Sequence, residues 1–161
     1  MDLNTRGRYA VMAMADLAHN TDASDAVPLS AIAERQLISL AYLEQLFSRL
    51  RRAELVESVR GRGGGYRLAR AAGTITVAEI MSAVDESTDM TRCGLEHQSP
   101  CLGGKRCLTH DLWDALSVHI EQFLSAITLK QVLDGSLARP SLTLNAGSAV
   151  FSGGVMDPAR S

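Results

Sequence analysis

The stretch Ser39-Leu40-Ala41-Tyr42-Leu43-Glu44-Gln45-Leu46-Phe47-Ser48-Arg49-Leu50-Arg51-Arg52 decides the fold. It is read together with Leu55-Val56-Glu57-Ser58-Val59-Arg60-Gly61-Arg62-Gly63-Gly64-Gly65-Tyr66-Arg67-Leu68 just after it. In the first half, Leu40, Leu43, Leu46, Phe47 and Leu50 recur at the helical period and form one apolar side. The opposite side carries Tyr42, Glu44, Gln45, Ser48, Arg49, Arg51 and Arg52. Ser39 has the chemistry of an N-cap, so a helix is predicted over 40–52. Its polar side mixes amides, a carboxylate and guanidinium groups, side chains suited to base edges and phosphates. The second half holds two β-prone runs, 55–59 and 66–68, around an Arg/Gly tip. That is a hairpin whose glycines let backbone approach a phosphate ridge or a minor groove while arginine supplies charge.

Upstream, Pro28 can open a helix, and Leu29, Ile32 and Ala33 make it short and amphipathic. A tight connection at Gln36–Ile38 joins it to the helix at 40. Two short helices, a tight turn and a hairpin make a winged helix-turn-helix. Leu37 stands where glycine is expected, and a left-handed backbone is costly for leucine, so a relaxed turn is predicted. Residues 5–20 read as a helix rich in Ala and Met, with Tyr9, Met12, Ala13 and Leu17 at helical spacing. Downstream, a helix is expected from Thr76 to about Glu86 through Val77, Ile80, Met81 and Val84. A long helix over 109–127 carries the stripe Leu112, Trp113, Leu116, Ile120, Phe123, Leu124 and Ile127. Such a stripe suits packing against a second subunit as well as its own domain. A short helix follows near 128–134.

The fold class is therefore mainly α with a small β-hairpin: a winged helix-turn-helix domain plus a long dimerisation helix. The expected organisation is 1–86 for the DNA-binding region, 87–108 for a loop, 109–134 for the dimerisation helix and its short successor, and 135–161 for a disordered tail rich in Gly, Ser, Ala and Pro.

Net charge is −2, which alone argues against nucleic acid, but the distribution reverses that. Residues 1–48 carry a net −3, residues 49–70 a net +5 and residues 71–161 a net −4. Phosphates respond to that local positive field. The glycines of the hairpin are not a nucleotide loop, because a strand rather than a helix follows them. No phosphate loop, His-Glu-x-x-His motif or nucleophile elbow occurs, and His19 and His119 read as ordinary helix or surface residues, so an enzyme is not expected. The start, Met1-Asp2-Leu3-Asn4-Thr5-Arg6, has no apolar core of a signal peptide, and no membrane span is visible, so the expected location is the cytoplasm.

In that compartment thiols stay reduced, and cysteines read as ligands or redox sensors. All three lie in the 87–108 loop, spaced Cys93-x7-Cys101-x5-Cys107-x2-His110. Three soft thiolates and one imidazole can complete a four-ligand site for zinc or for iron–sulfur iron. Zinc knuckles favour closely paired cysteines, which this run lacks, so the spacing leans toward a cluster. Zinc, His97 as a competing imidazole, and a metal-free disulfide switch stay open.

Taken with Gly7-Arg8-Tyr9-Ala10, Ser58-Val59-Arg60-Gly61, Gly63-Gly64-Gly65-Tyr66, Val84-Asp85-Glu86-Ser87, Thr91-Arg92-Cys93 and Cys107-Leu108-Thr109-His110, the sequence to about residue 134 resembles the IscR family of bacterial winged-helix repressors. That family includes iron-sensing and nitric-oxide-sensing relatives. The resemblance implies a homodimer joined through the long helix, and a 2Fe–2S cluster on three cysteines and a histidine, by position Cys93, Cys101, Cys107 and His110. It implies promoter DNA as the main partner, repression of cluster-assembly genes by the loaded form, retained binding of the cluster-free form at other promoters, and a cluster-assembly scaffold as cluster donor. It places Tyr42, Glu44 and Gln45 toward the major groove and Arg60 with its glycines in the minor groove. The candidate DNA-binding set is Ser39, Tyr42, Glu44, Gln45, Arg49, Arg60, Gly61, Arg62 and Gly63. Cys93 and Cys101 stand further apart than in the best-known members, which bears on the loop's shape. The alternatives are an iron- or nitric-oxide-sensing repressor of the same family and, from another class, an iron–sulfur carrier, which would need neither wing nor recognition helix.

Overall fold

A computed structural model describes residues 5–21, 26–61, 63–85 and 108–137. Helix α1 (Thr5–Asn20) is followed by α2 (Leu29–Gln36) and α3 (Leu40–Arg52), then by strands β1 (Val56–Val59) and β2 (Gly65–Leu68). A single 3-10 turn at Ala72–Thr74 leads to α4 (Val77–Ala83). Beyond residues 86–107 come α5 (His110–Ala126) and α6 (Leu129–Asp134).

The core gathers around α3. Leu43, Leu46, Phe47 and Leu50 are buried, with Ala10, Ala13, Met14 and Leu17 of α1, Ile32 of α2, Leu55, Val56, Ile75, Ile80, Val84 and Leu129. Phe47 meets Tyr66 edge-on at 5.0 Å between ring centroids, fixing the hairpin to α3. The face of α1 differs from expectation: Met14 is fully buried and Met12 is 38% exposed. An Ala/Met-rich helix offers small apolar groups on every side, so the neighbours rather than the periodicity choose its inner face. Leu40, on the rim of α3, is also partly exposed.

The turn between α2 and α3 is not relaxed. Leu37 adopts a left-handed backbone, φ 54° and ψ 40°, with its side chain in solvent. Its amide and that of Ile38 both donate to the Ala33 carbonyl, so the two close the end of α2. The strain is offset by what the turn achieves, since Ile38 next to it is buried.

The hairpin is antiparallel, pairing Val56 with Leu68, Glu57 with Arg67, Ser58 with Tyr66 and Val59 with Gly65. A third segment joins it. Val27, just before α2, exchanges both backbone hydrogen bonds with Tyr66 at 2.8 and 2.9 Å. A Cβ on Gly65 would lie 2.3 Å from the Val27 carbonyl oxygen, so only glycine lets this strand approach.

Helices α4 and α6 begin side by side. Thr76 and Thr128 are both N-caps with complete capping boxes, closed by Glu79 and Gln131. The two caps pair as a β-bridge, with the Val77 amide donating to Ile127 at 2.9 Å and the Leu129 amide to Ile75 at 2.8 Å. Val77, Met81 and Ile127 form a second small cluster there. The end of the long helix is thereby tied to the winged-helix body. No helix among the described residues is long and apolar enough to cross a membrane.

Candidate nucleic-acid interface

Ser39 caps α3 as expected, its Oγ accepting from the Tyr42 amide at 3.3 Å. The hydroxyl therefore fixes where the helix starts and which residues its first turn presents. Tyr42 is half-buried, and its ring stands edge-on to Tyr9 at 6.1 Å. Glu44 and Gln45 are exposed on the next turn.

Ala41, Glu44, Gln45, Ser48, Arg49 and Arg52 follow one another at three- and four-residue steps and line a shallow open concavity of about 840 Å³. Among the described residues, one from another element joins its lining: Asp85, just past α4. Arg49 Nη1 donates to Asp85 Oδ2 in a close ion pair. The concavity is thus polar, with two guanidinium groups and two carboxylates. It has the chemistry to engage base edges and phosphates rather than an apolar ligand.

At the hairpin tip, Arg60 and Gly61 are exposed, and Gly61 and Gly63 have φ of 110° and 81°. A Cβ added at either would meet nothing within 4 Å, so these two glycines serve the turn, whereas a Cβ added at Gly64 would lie 2.6 Å from the Val59 carbonyl oxygen, so that glycine serves its tightness. Arg62 lies outside the described residues. On the strands behind the tip, Arg67 pairs with Glu57 at 2.5 Å, and Arg70 pairs with Glu79 at the same distance, so these two cations are already neutralised within the fold. The Arg70 guanidinium and the Thr76 amide and hydroxyl hold the Glu79 carboxyl below the ordinary carboxylate range. Arg51, Arg52 and Arg60 are exposed, as are the paired Arg67 and Arg70.

Of the candidate ligands, Cys93, Cys101 and Cys107 lie outside the described residues. His110 is the first residue of α5 and is half-buried. Along α5, Leu112 (61%), Trp113 (39%), Val118 (49%) and Phe123 (43%) are exposed, while Ser117 is buried and bonds back to the Trp113 carbonyl.

The lining residues outside the candidate DNA-binding set fall into two groups: Ala41, Ser48 and Arg52, which lie on the polar side of α3, and Asp85, which comes from another element. Asp85 belongs to the Val84-Asp85-Glu86-Ser87 stretch, so its signal was present, but its contact with Arg49 joins elements far apart in sequence. A third group lies behind the site. Asp16, the sole carboxylate of α1, is buried and receives Arg35, Gln36 and Asn20.

The profile of Rrf2, described as an iron-dependent transcriptional regulator, matches residues 3–135. The chain is 56% identical over 134 residues to the HTH-type transcriptional regulator IscR of Citrobacter koseri, covering 83% of this chain and 80% of that protein. The same figures hold for its namesake from Salmonella newport. Among solved structures, IscR of T. potens superposes with a TM-score of 0.68 at 36% identity, covering 86% of this chain and 93% of that one. CymR, the global cysteine regulator of B. subtilis, gives 0.70 at 28% identity, covering 84% and 98%. With its three-helix body, its hairpin wing and these relatives, this chain belongs to the Rrf2 family of transcriptional regulators and is a DNA-binding regulator of that kind.

Proposed function

We propose that this regulator reads promoter DNA as a homodimer, placing α3 in the major groove and the hairpin tip in the minor groove, and that a 2Fe–2S cluster on Cys93, Cys101, Cys107 and His110 gates its binding at cluster-assembly genes. The observation that carries the DNA contact is the polar concavity along α3, which brings Glu44, Gln45 and Arg49 together on one helical face. Ser39 would set the helix start at the DNA surface, Tyr42 the edge of the contact, and Arg60, Gly61, Arg62 and Gly63 the wing. The homodimer is supported by the large apolar side chains left exposed along α5, which a partner helix would cover. The IscR name of relatives at 56% identity supports cluster assembly as the regulated process.

The donor set fits a cluster by its chemistry: three thiols and one imidazole within a short segment that ends on the first residue of α5. When bound, the cluster would supply a centre that responds to redox state and to iron–sulfur supply. His110 would set two of its properties. An imidazole in place of a fourth thiolate leaves the site less negative, which raises its reduction potential. The imidazole binds iron only when neutral, so acid loosens the site. His110 also connects that segment to α5, whose far end is tied to α4 through the Thr76–Thr128 bridge. A cluster-assembly scaffold would be the donor.

Anaerobic purification, an absorption spectrum and iron and sulfide analysis test the cofactor. Gel shifts on the promoter of a cluster-assembly operon test the gate. The expected result is a 2Fe–2S spectrum and altered promoter binding when Cys93, Cys101 and Cys107 are all changed to Ala. A protein holding only zinc, or a triple variant that binds every site as the loaded protein does, overturns the gate.

A further inference from the structure

The concavity on α3 contains a cation that is already engaged. Among the described residues its lining comes from one helical face, Ala41 to Arg52, with Asp85 as the one contribution from another element, and Asp85 is paired with Arg49. We propose that Asp85 is a brake on DNA binding: in the DNA-free chain it holds the Arg49 guanidinium, and binding exchanges this carboxylate for a DNA phosphate. The proposal rests on the reading of α3 as the DNA-contacting helix.

Three observations support an adapted brake over a chance surface pair. First, the backbone that presents Asp85 is fixed. Val84 before it is fully buried and its carbonyl accepts from Arg6 Nη1 of α1 at 3.3 Å, while the Asp85 amide donates to Ser82 at 3.0 Å. Second, Asp85 has φ 55°, a left-handed conformation that aspartate and asparagine adopt more readily than other non-glycine residues, so the turn suits a short polar side chain at this position. Third, the pair is poised for exchange. Its side chains are 40% and 72% exposed, so water screens the attraction. A buried pair would lock Arg49 away. A screened one yields to a phosphate on a duplex, where the release of condensed counterions adds to the attraction. Removing the carboxylate should therefore strengthen binding to any duplex, regardless of sequence, and do so through Arg49.

The test uses the full-length chain and a labelled duplex of random sequence, about 30 base pairs or roughly three helical turns long. Fluorescence anisotropy is followed across a salt series for the wild type, Asp85→Asn, Arg49→Gln and the double variant, with Arg60→Ala as a wing control. Asn tolerates the left-handed backbone, and matching thermal midpoints show that the fold is kept. Asp85→Ser serves as a second variant should Asn perturb it. Asp85→Asn should tighten binding about 3- to 10-fold and steepen the salt dependence by up to about one phosphate per protomer. In the Arg49→Gln background the same change should shift affinity less than about 2-fold, because the brake has nothing left to hold. Equal tightening in both backgrounds would mean that Asp85 acts only through the general field of a carboxylate, and the proposal falls. It also falls if Asp85→Asn changes nothing while Arg49→Gln and Arg60→Ala weaken binding. If the wild type binds no duplex, or neither arginine variant affects binding, the DNA-contact reading itself is wrong and the brake goes with it.

Discussion

Arg35 of α2 grips Asp16 of α1 with two nitrogens, Nη2 to Oδ1 at 2.5 Å and Nε to Oδ2 at 3.1 Å, and Gln36 Nε2 adds a third donor at 2.7 Å. The Asp16 side chain is 3% exposed. Burial alone would push its carboxyl up, but the hydrogen bonds from Arg35, Gln36 and Asn20 and the charge of Arg35 outweigh it and hold the pKa below the ordinary value. The pair joins the first two helices of the DNA-binding region behind α3, which sets where α3 sits.

A carboxyl whose pKa is lower in the folded chain than in the unfolded chain stabilises the fold above its unfolded pKa, and that contribution is lost as pH falls through the folded pKa. Asp16→Asn should therefore lower stability by about 1–3 kcal/mol at neutral pH, because Arg35 and Gln36 lose a buried acceptor. The deficit should shrink once acid has protonated Asp16 in the wild type. Urea melts at neutral pH and at successively lower pH check this. A deficit that stays constant down to strong acid would show that the carboxylate charge contributes nothing.

The left-handed Leu37 leads to a prediction of the opposite sign. Its side chain is 92% exposed, so no burial is lost on removing it. Glycine adopts φ 54° without the Cβ clash that costs an ordinary residue about 1–2 kcal/mol, and gives back part of this through its freer unfolded chain. Leu37→Gly should stabilise the protein by about 0.5–1 kcal/mol, read as a rise in the denaturation midpoint at unchanged slope. Destabilisation would mean that the turn depends on a contact of the leucine side chain.

The wing's attachment is tested at Gly65. A methyl group there would meet the Val27 carbonyl carbon and oxygen at 2.4 and 2.3 Å, both backbone atoms that cannot swing aside. Gly65→Ala should break the Val27–Tyr66 bridge and cost about 1–3 kcal/mol, in the range of overpacking. It should also weaken duplex binding, since the tip would no longer be held at a set distance from α3. Unchanged thermal stability would show that Val27 can give way.

How much of this was legible in the sequence follows from how local each signal is. Helix α3 and the hairpin were readable because Ser39, the apolar period and the Arg/Gly tip are decided within a few residues. The long helix was readable for the same reason. The inner face of α1 was not, because Ala and Met surround the helix and only the elements packed against it, α2, α3, α4, α6 and β2, decide between Met12 and Met14. Each capping box, Thr76 with Glu79 and Thr128 with Gln131, is a local pattern, yet that the two caps pair with each other is a tertiary fact. The Asp16–Arg35 and Arg49–Asp85 pairs are hidden for that reason too. Arg49 was picked out as a DNA contact by its place on the polar face, and nothing in the sequence around it shows that a carboxylate from beyond α4 already holds it. The ligand set rests on spacing and resemblance, since its cysteines lie outside the described residues.

Glu44 offers the sharpest test of how the interface discriminates between sequences. It is exposed on the face of α3 that carries Arg49 and Arg52, next to Gln45. A carboxylate there repels phosphates, so it weakens binding to every duplex equally unless a base compensates. Cytosine can, because its exocyclic amino group donates a hydrogen bond in the major groove. Sites offering cytosine at that position recover the loss, and sites without it leave a desolvated carboxylate unpaired, a penalty that selects by exclusion. Glu44→Ala should therefore leave binding at preferred sites within a few-fold, or improve it, while raising affinity for sites that lack the cytosine by about 1–3 kcal/mol. Selection from random-sequence DNA with both proteins reads this directly. The variant should return a motif with one position relaxed and the rest intact. The same motif from both proteins would remove Glu44 from base discrimination and leave Gln45 and Arg49 to supply it.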